Sequence, residues 1–253
     1  MGNVGIILQA RMGSQRLPKK EMKYLNNLTI LEWCMIRISK VESNNIFIVA
    51  TTDQKKDDII EEYCKKYNIL CFRGSEDDVL DRYYKCSTIY QLNTIVRLTG
   101  DCPLIDPKII DKMLKIYQNM NIDIIKNTWF STGFPSGFDV EIFSYELLEE
   151  IHTLNKDKQS REHVTKYIYD NYNKYNIVGL CTILHLDSHL SVDTEDDFKT
   201  VKEIFKYVKD SNFTYKDIYD IIKTNNISNI KYPQEIIKLN DKIFKKFVWI
   251  DLQ

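Results

Sequence analysis

The stretch GIILQARMGSQRLPKK, Gly5 to Lys20, joins an apolar run to a loop carrying Arg11, Gly13, Ser14, Arg16 and Lys20. Val4 to Leu8 reads as a strand. Beyond it the apolar pattern stops, and cationic side chains gather where backbone N–H groups are unpaired, an arrangement suited to a polyphosphate. Gly13 is expected to take a positive φ or to let phosphate oxygens reach the backbone. Arg16 offers a planar fork and Lys20 a mobile point charge. A solvated basic turn after a strand would have the same sequence, so the loop alone does not decide its function.

Two further strand ends decide it. VRLTGDCPLIDP, Val96 to Pro107, runs from an apolar strand into Gly100, Asp101 and Pro103, and HLSVDTEDDF, His189 to Phe198, ends on Asp193. Ligands of open α/β sheets bind beyond the carboxyl ends of strands, so these three segments can meet at one crevice. A basic loop facing two aspartates is what a nucleoside triphosphate with a divalent cation requires.

Working outward, strands are expected at Ile46 to Thr51, Ile69 to Phe72, Thr94 to Leu98, Ile122 to Lys126, Val140 to Phe143 and Ile177 to Leu184. Helical spacing marks Ile30 to Val41, Lys56 to Tyr67, Asp78 to Tyr90 and Pro107 to Met120. Alternation of this kind implies an α/β fold with a largely parallel twisted sheet covered by helices on both faces. Phe130 to Phe138, with two glycines and a proline, interrupts the pattern and marks an inserted substrate-side segment, about 130–175, with an arm or lid from Asp139 onward. Residues 1–213 then form one domain. The Asn-, Lys- and Ile-rich remainder, 214–253, reads as a peripheral helical tail.

Composition sets limits. Thirty-five basic against 36 acidic side chains leave a formal net charge of −1, which argues against a nucleic-acid or membrane partner recognised by a global field. With no run of eighteen apolar residues and no secretory leader, a cytosolic location is expected. The six cysteines show no metal-ligand or paired spacing and are expected to be free thiols. Cys102, inside the Asp101 segment, has no role in a reaction without a covalent intermediate. No G-x-G-x-x-G follows the first strand, which disfavours a dehydrogenase.

The segments QARMGSQRLPKK, RLTGDCPLIDP, RGSEDDVLDRYY and SVDTEDDF together resemble the cytidylyltransferases of the SpsF-like group (spore coat polysaccharide biosynthesis), relatives of the CMP-sialic acid and CMP-KDO synthetases. The resemblance spans roughly residues 4 to 205, and departs at Lys19, where many relatives carry glycine. It implies a Rossmann-like nucleotidyltransferase fold, a homodimer, and transfer of CMP from CTP to an acidic sugar or a small phosphorylated acceptor, with Mg²⁺ as cofactor, for surface glycan assembly. A sugar-1-phosphate nucleotidyltransferase using another NTP, or an inactive nucleotide-binding homologue, are the alternatives.

Such chemistry is an in-line attack on the α-phosphorus that expels pyrophosphate, so the protein positions reactants and neutralises charge. Arg16, Lys20 and Asp101 are the candidate catalytic residues, with Arg11, Arg16 and Lys20 on the leaving phosphates. By resemblance, the nucleotide site is Gln9, Ala10, Arg11, Gly13, Ser14, Arg16, Lys20, Arg73, Gly74, Ser75, Thr99 and Gly100, with Arg73 to Arg82 as the base-recognition region. Asp101 and Asp193 are the candidate metal ligands, although Asp193 would also serve as an N-cap of a helix beginning near Glu195. Asp139 and Glu141, on one side of a strand, and Arg161 and His163, at a helix start, are the candidate acceptor-binding residues. His152, His185 and His189 have no ligand spacing and read as structural.

Overall fold

The computed structural model describes residues 2–43, 45–128, 130–227 and 243–252. Its strands are β1 (Asn3–Gln9), β2 (Tyr24–Leu25), β3 (Leu28–Thr29), β4 (Ile46–Thr52), β5 (Leu70–Gly74), β6 (Leu92–Thr99), β7 (Ile124–Lys126), β8 (Glu141–Ser144), β9 (Ile177–Thr182) and β10 (Lys246–Ile250). Apart from the β2-β3 hairpin they form one sheet in the order β10-β9-β7-β8-β6-β1-β4-β5. The helices are α1 (Ile30–Ile38), α2 (Asp58–Tyr67), α3 (Val79–Ile89), α4 (Pro107–Asn119), α5 (Tyr145–Leu154), α6 (Lys158–Glu162), α7 (Lys166–Asp170), α8 (Glu195–Phe205) and α9 (Tyr215–Asn225).

The apolar runs explain the layering. Val4 to Leu8 is buried throughout, because β1 lies between β4 and β6 and the sheet carries one hydrophobic cluster on each face. Ile6 and Leu8 enter one cluster and Ile7 the other, as the two-residue period of a strand requires. Helix starts follow local chemistry: Thr29 and Glu32 form a capping box on α1, and Asp106 caps α4 with Pro107 at its first position.

All pairings in the sheet are parallel except those of β8, which runs antiparallel to both β6 and β7. Reversal brings the first residue of β8 to the edge where its neighbours end. Glu141 therefore pairs in register with Arg97 and with Lys126.

Two expectations are corrected. The arm foreseen from Asp139 onward is confined to the excursion between Lys126 and Glu141, after which the chain re-enters the sheet. Asn127 closes that excursion, donating to the Phe138 carbonyl at 2.8 Å and accepting from the Val140 N–H at 2.8 Å. The tail is also neither wholly helical nor peripheral. Tyr215, at the start of α9, is fully buried and its N–H donates to Asp106, while the aromatic and β-branched run of β10 pairs with β9. The part of the tail at 228–242 and residue 253 lie outside the described residues.

Candidate active site

The basic loop is fixed by its backbone, which leaves its side chains to face the crevice. The Gly100 N–H donates to the Gln9 carbonyl at 2.8 Å, and the Met12 N–H donates to Asp57 Oδ1 at 2.6 Å. Asp57, fully buried, also accepts from the Thr52 hydroxyl. Gly13 is not among the glycines of positive φ, contrary to one expectation. A Cβ there would lie 2.7 Å from Glu76 Oε1 and 3.0 Å from Lys56 Nζ, the ends of two flexible side chains that form an ion pair beside the loop and have room to shift. Lys19 instead takes the left-handed conformation, φ 57°, and the short 3₁₀ turn Lys20–Met22 that follows points Lys20 inward.

There the three segments meet, although the strand expected to end on Asp193 is not formed: His189 makes an isolated bridge with Ser136, and Asp193 lies in the loop before α8. Lys20 Nζ donates to Asp101 Oδ2 at 2.8 Å and to Asp193 Oδ1 at 3.0 Å. Arg16, largely exposed, reaches the same Asp193 oxygen at 2.9 Å. The Val192 N–H donates to the Asp101 carbonyl, locking the two acidic segments together. Asp193 is free of the capping role, because Thr194 caps α8 in a capping box with Asp197. A hydrogen bond from His189, with Lys20 and Arg16 nearby, holds the Asp193 carboxyl well below its usual range. Burial alone would lower Lys20, but Asp101 and Asp193 outweigh it and hold its ammonium well above the ordinary value.

This cluster lies on the wall of a cavity of about 650 Å³, within the size of small-molecule sites. Gln9, Ala10, Arg11, Gly13, Ser14 and Arg16 line it along the loop. Thr99, Gly100 and Asp101 line it from the end of β6. Across the opening, Arg11 pairs with Glu162 at 3.2 Å, and His163 lines the same space. A second cavity of about 180 Å³ adjoins it, sharing Arg97, Thr99 and Asp101, and Asp139 and Glu141 line that one, on one side as expected.

Glu141 is a buried counter-ion. Arg97 and Lys126 donate to it at 2.7 and 2.9 Å, and Thr165 and Tyr169 complete its partners at 2.9 and 2.7 Å. Burial raises such a carboxyl, yet Lys126 and Arg97 hold it far below the ordinary range. Asp139 accepts from the Thr128 hydroxyl and the Gly137 N–H. Gly137 sits at φ 106°, where a Cβ would collide with the Leu190 backbone.

Other predicted residues lie apart. Arg73 spends its fork on the carbonyls of Thr52 and Gln54 and on Asp58 and Glu61, and with Gly74 and Ser75 it lines a separate cavity. From the base-recognition region, Val79 and Arg82 are the residues that reach the main crevice. Arg82 donates to the Ser75 carbonyl, and its buried Nε has no hydrogen-bond partner among the described residues. Arg161 donates to Asp78 and to the carbonyls of His152 and Asn155, bracing α6 against α3 rather than facing either cavity. Helix α6 starts at Lys158, capped by Asp157, so Arg161 lies in its last turn and His163 at its C-cap rather than at a helix start. Burial pushes the Cys102 thiol up, which disables it as a nucleophile.

Sequence reasoning missed Glu21, Arg97, Lys126 and His189. Arg97 lay in a quoted segment, two residues before Thr99 on a strand, so its facing toward the same side was available from the alternation. His189 meets Asp193 at 3.6 Å and Ser191 at 3.1 Å, contacts made by a turn that carries no pattern.

Among the described residues no group of three or more His, Cys, Asp or Glu could hold a metal. Asp101 and Asp193 nevertheless share one cation already, the Lys20 ammonium. Two carboxylates suit Mg²⁺, which keeps waters and phosphate oxygens as its other ligands.

A mostly parallel sheet with a cationic loop, a pair of aspartates and a crevice at its carboxyl edge defines a nucleotidyltransferase. The sequence model of the cytidylyltransferase family matches residues 5–238, and the chain belongs to that family. It is 38% identical to protein MJ1063 of Methanocaldococcus jannaschii, over 88% of this chain and 92% of that one. To the spore coat polysaccharide biosynthesis protein SpsF of Bacillus subtilis it is 31% identical, over 81% of this chain and 88% of that one. The structure of a cytidylyltransferase from Leptospira borgpetersenii superposes with a TM-score of 0.86 at 35% identity, covering 92% of this chain and all of that one. No helix of the described residues is long and apolar enough to cross a membrane.

Proposed function

We propose that the protein transfers CMP from CTP to a small acidic, polyhydroxylated acceptor such as a sugar acid, releasing pyrophosphate, in surface glycan assembly. One observation carries this: the large crevice and the small pocket adjoin, sharing Arg97, Thr99 and Asp101 in their walls, so a triphosphate in one and an acceptor in the other would meet at Asp101.

Arg11 and Arg16 bind the phosphates at the basic loop, and Lys20 joins them as charge moves to the leaving group. In the small pocket Arg97 and Lys126 stand against the carboxylates of Glu141 and Asp139, and their N–H groups offer the acceptor's anion charge-assisted hydrogen bonds. Asp139 has spare lone pairs for acceptor hydroxyls. The acceptor oxygen forms its bond to the α-phosphorus as the bond to the bridging oxygen of pyrophosphate breaks, and the acceptor's proton leaves to solvent. Asp101 and Asp193 would hold Mg²⁺, which when bound supplies positive charge beside the phosphates. The likeness to SpsF, named for spore coat polysaccharide biosynthesis, supports a role in polysaccharide synthesis; a cytosolic homodimer completes the reading, and light scattering tests the assembly.

The test is pyrophosphate release from each of four NTPs with Mg²⁺, against acceptors supplied as acids and as their neutral amides. CTP should exceed UTP by about tenfold or more in kcat/KM, near 1.4 kcal/mol, and the acids should exceed the amides. Equal use of UTP, or indifference to the acceptor's charge, would refute the corresponding half.

A further inference from the structure

The contact of Lys20 with both aspartates has a consequence for the order in which ligands enter. A lysine ammonium donating to two carboxylates at 2.8 and 3.0 Å occupies the space between them, and Arg16 adds a second positive charge at Asp193. Two anions are thus already balanced by two cations, and Lys20, 8% exposed, is packed in place rather than mobile in solvent. A divalent cation approaching this pair meets the ammonium at contact distance and is repelled.

We propose that Lys20 is the resident counter-ion of the metal site, and that a divalent cation enters Asp101 and Asp193 only as a triphosphate draws Lys20 away. The inference rests on the nucleotide reading above and adds an order to it. The triphosphate offers Lys20 and Arg16 new anionic partners within the same crevice, which Lys20 also lines. The carboxylates so released keep their charge balance by taking the metal, and cations exchange partners without any buried charge being left alone. By linkage the metal and the nucleotide then raise each other's affinity. The chain thereby avoids an empty pair of facing carboxylates, which would repel and take up a proton.

Mn²⁺ binding to the nucleotide-free protein, read from the paramagnetic resonance signal of the free ion, tests this without turnover. Lys20→Met should bind Mn²⁺ roughly tenfold or more tightly than the wild type, and adding Asp101→Asn should abolish the gain. Equal affinity in wild type and Lys20→Met overturns the proposal, as does tight binding that survives Asp101→Asn. A measurement on the wild type covers the case of a variant that fails to fold. The nitrogen resonance of the Lys20 ammonium should persist in millimolar Mg²⁺ and move when Mg²⁺ and an α,β-methylene analogue of CTP are added together. Displacement by Mg²⁺ alone overturns the proposal. Wild-type pyrophosphate release separates the two levels: turnover of CTP with these results negative removes the exchange and keeps the nucleotide reading, whereas no turnover of any NTP removes the reading itself.

Discussion

Replacing Glu21 by glutamine should stabilise the protein at alkaline pH and leave it nearly unchanged in acid. Glu21 is 3% exposed, and its Oε2 has no hydrogen-bond partner among the described residues. Burial pushes its carboxyl up from 4.5 to about 7, against the pull of Lys20 and nearby backbone N–H groups. Between those two values the folded chain keeps a proton that the unfolded chain has lost. Stability contributed by this group therefore falls as pH rises through that window, and the full cost persists above it. A shift of this size corresponds to about 3 kcal/mol. The amide has the same shape and no charge to desolvate, so the difference between Glu21→Gln and wild type should be near zero at about pH 4 and grow to about 2–3 kcal/mol near pH 8.5. Guanidinium unfolding at both pH values measures it. A difference that does not change with pH would refute the reasoning. The wall of the crevice includes Glu21, so the stabilised variant is also expected to turn over more slowly.

The other predictions concern single residues. Arg16→Ala should lower kcat/KM for CTP by about 10²-fold while melting within a degree or so of wild type, since the side chain is 68% exposed; wild-type kinetics would return the loop to a solvated turn. Arg161→Ala removes three hydrogen bonds of a mostly buried guanidinium and should cost roughly 1–3 kcal/mol of stability. Its KM values for CTP and acceptor should stay within about twofold of wild type, well under 1 kcal/mol, and a selective rise in acceptor KM would contradict the bracing role. Lys19→Gly relieves a left-handed backbone and should raise stability by about 0.5–1 kcal/mol with unaltered kinetics, whereas a loss in chemical denaturation would show that the Lys19 side chain contributes more than its backbone costs.

What was legible in the sequence follows from the range of the interactions involved. Strand ends at Gln9 and Thr99 could be read because apolar runs stop there, and a parallel sheet brings such ends to one edge, whereas the short apolar run before Asp193 looked like a strand and is a loop. The meeting of Asp101 with Asp193 was expected from reading both as strand ends, and for Asp193 it is made instead by a loop whose Val192 N–H donates to the Asp101 carbonyl, so only the meeting itself was legible. Their counter-ion was not, because Lys20 reaches them from a turn whose course depends on a left-handed Lys19. Arg161 in α6 and Arg73 at the end of β5 misled because an arginine looks alike in sequence whether it binds a ligand or neighbouring carbonyls and carboxylates; only the fold shows Arg161 ending on Asp78. The reversed strand β8 escaped notice because alternation shows that a strand exists and says nothing of its direction.

That reversed strand also divides the labour of the chain in a way that bears on engineering. On the proposed reading, the residues that would hold the phosphates come from segments before Pro103 and from Asp193, whereas Lys126, Ser136, Asp139 and Glu141 of the small pocket arrive in one stretch of chain that leaves the sheet after β7 and returns as β8, joined there by Arg97 and Ser191. Both ends of the excursion are pinned by hydrogen bonds in the sheet, at Lys126 and Glu141. It is a cassette with fixed ends. Exchanging it between members of the family should transplant acceptor choice while the donor half continues to bind the same nucleotide, which gives evolution, and a protein engineer, one contiguous piece of chain to vary.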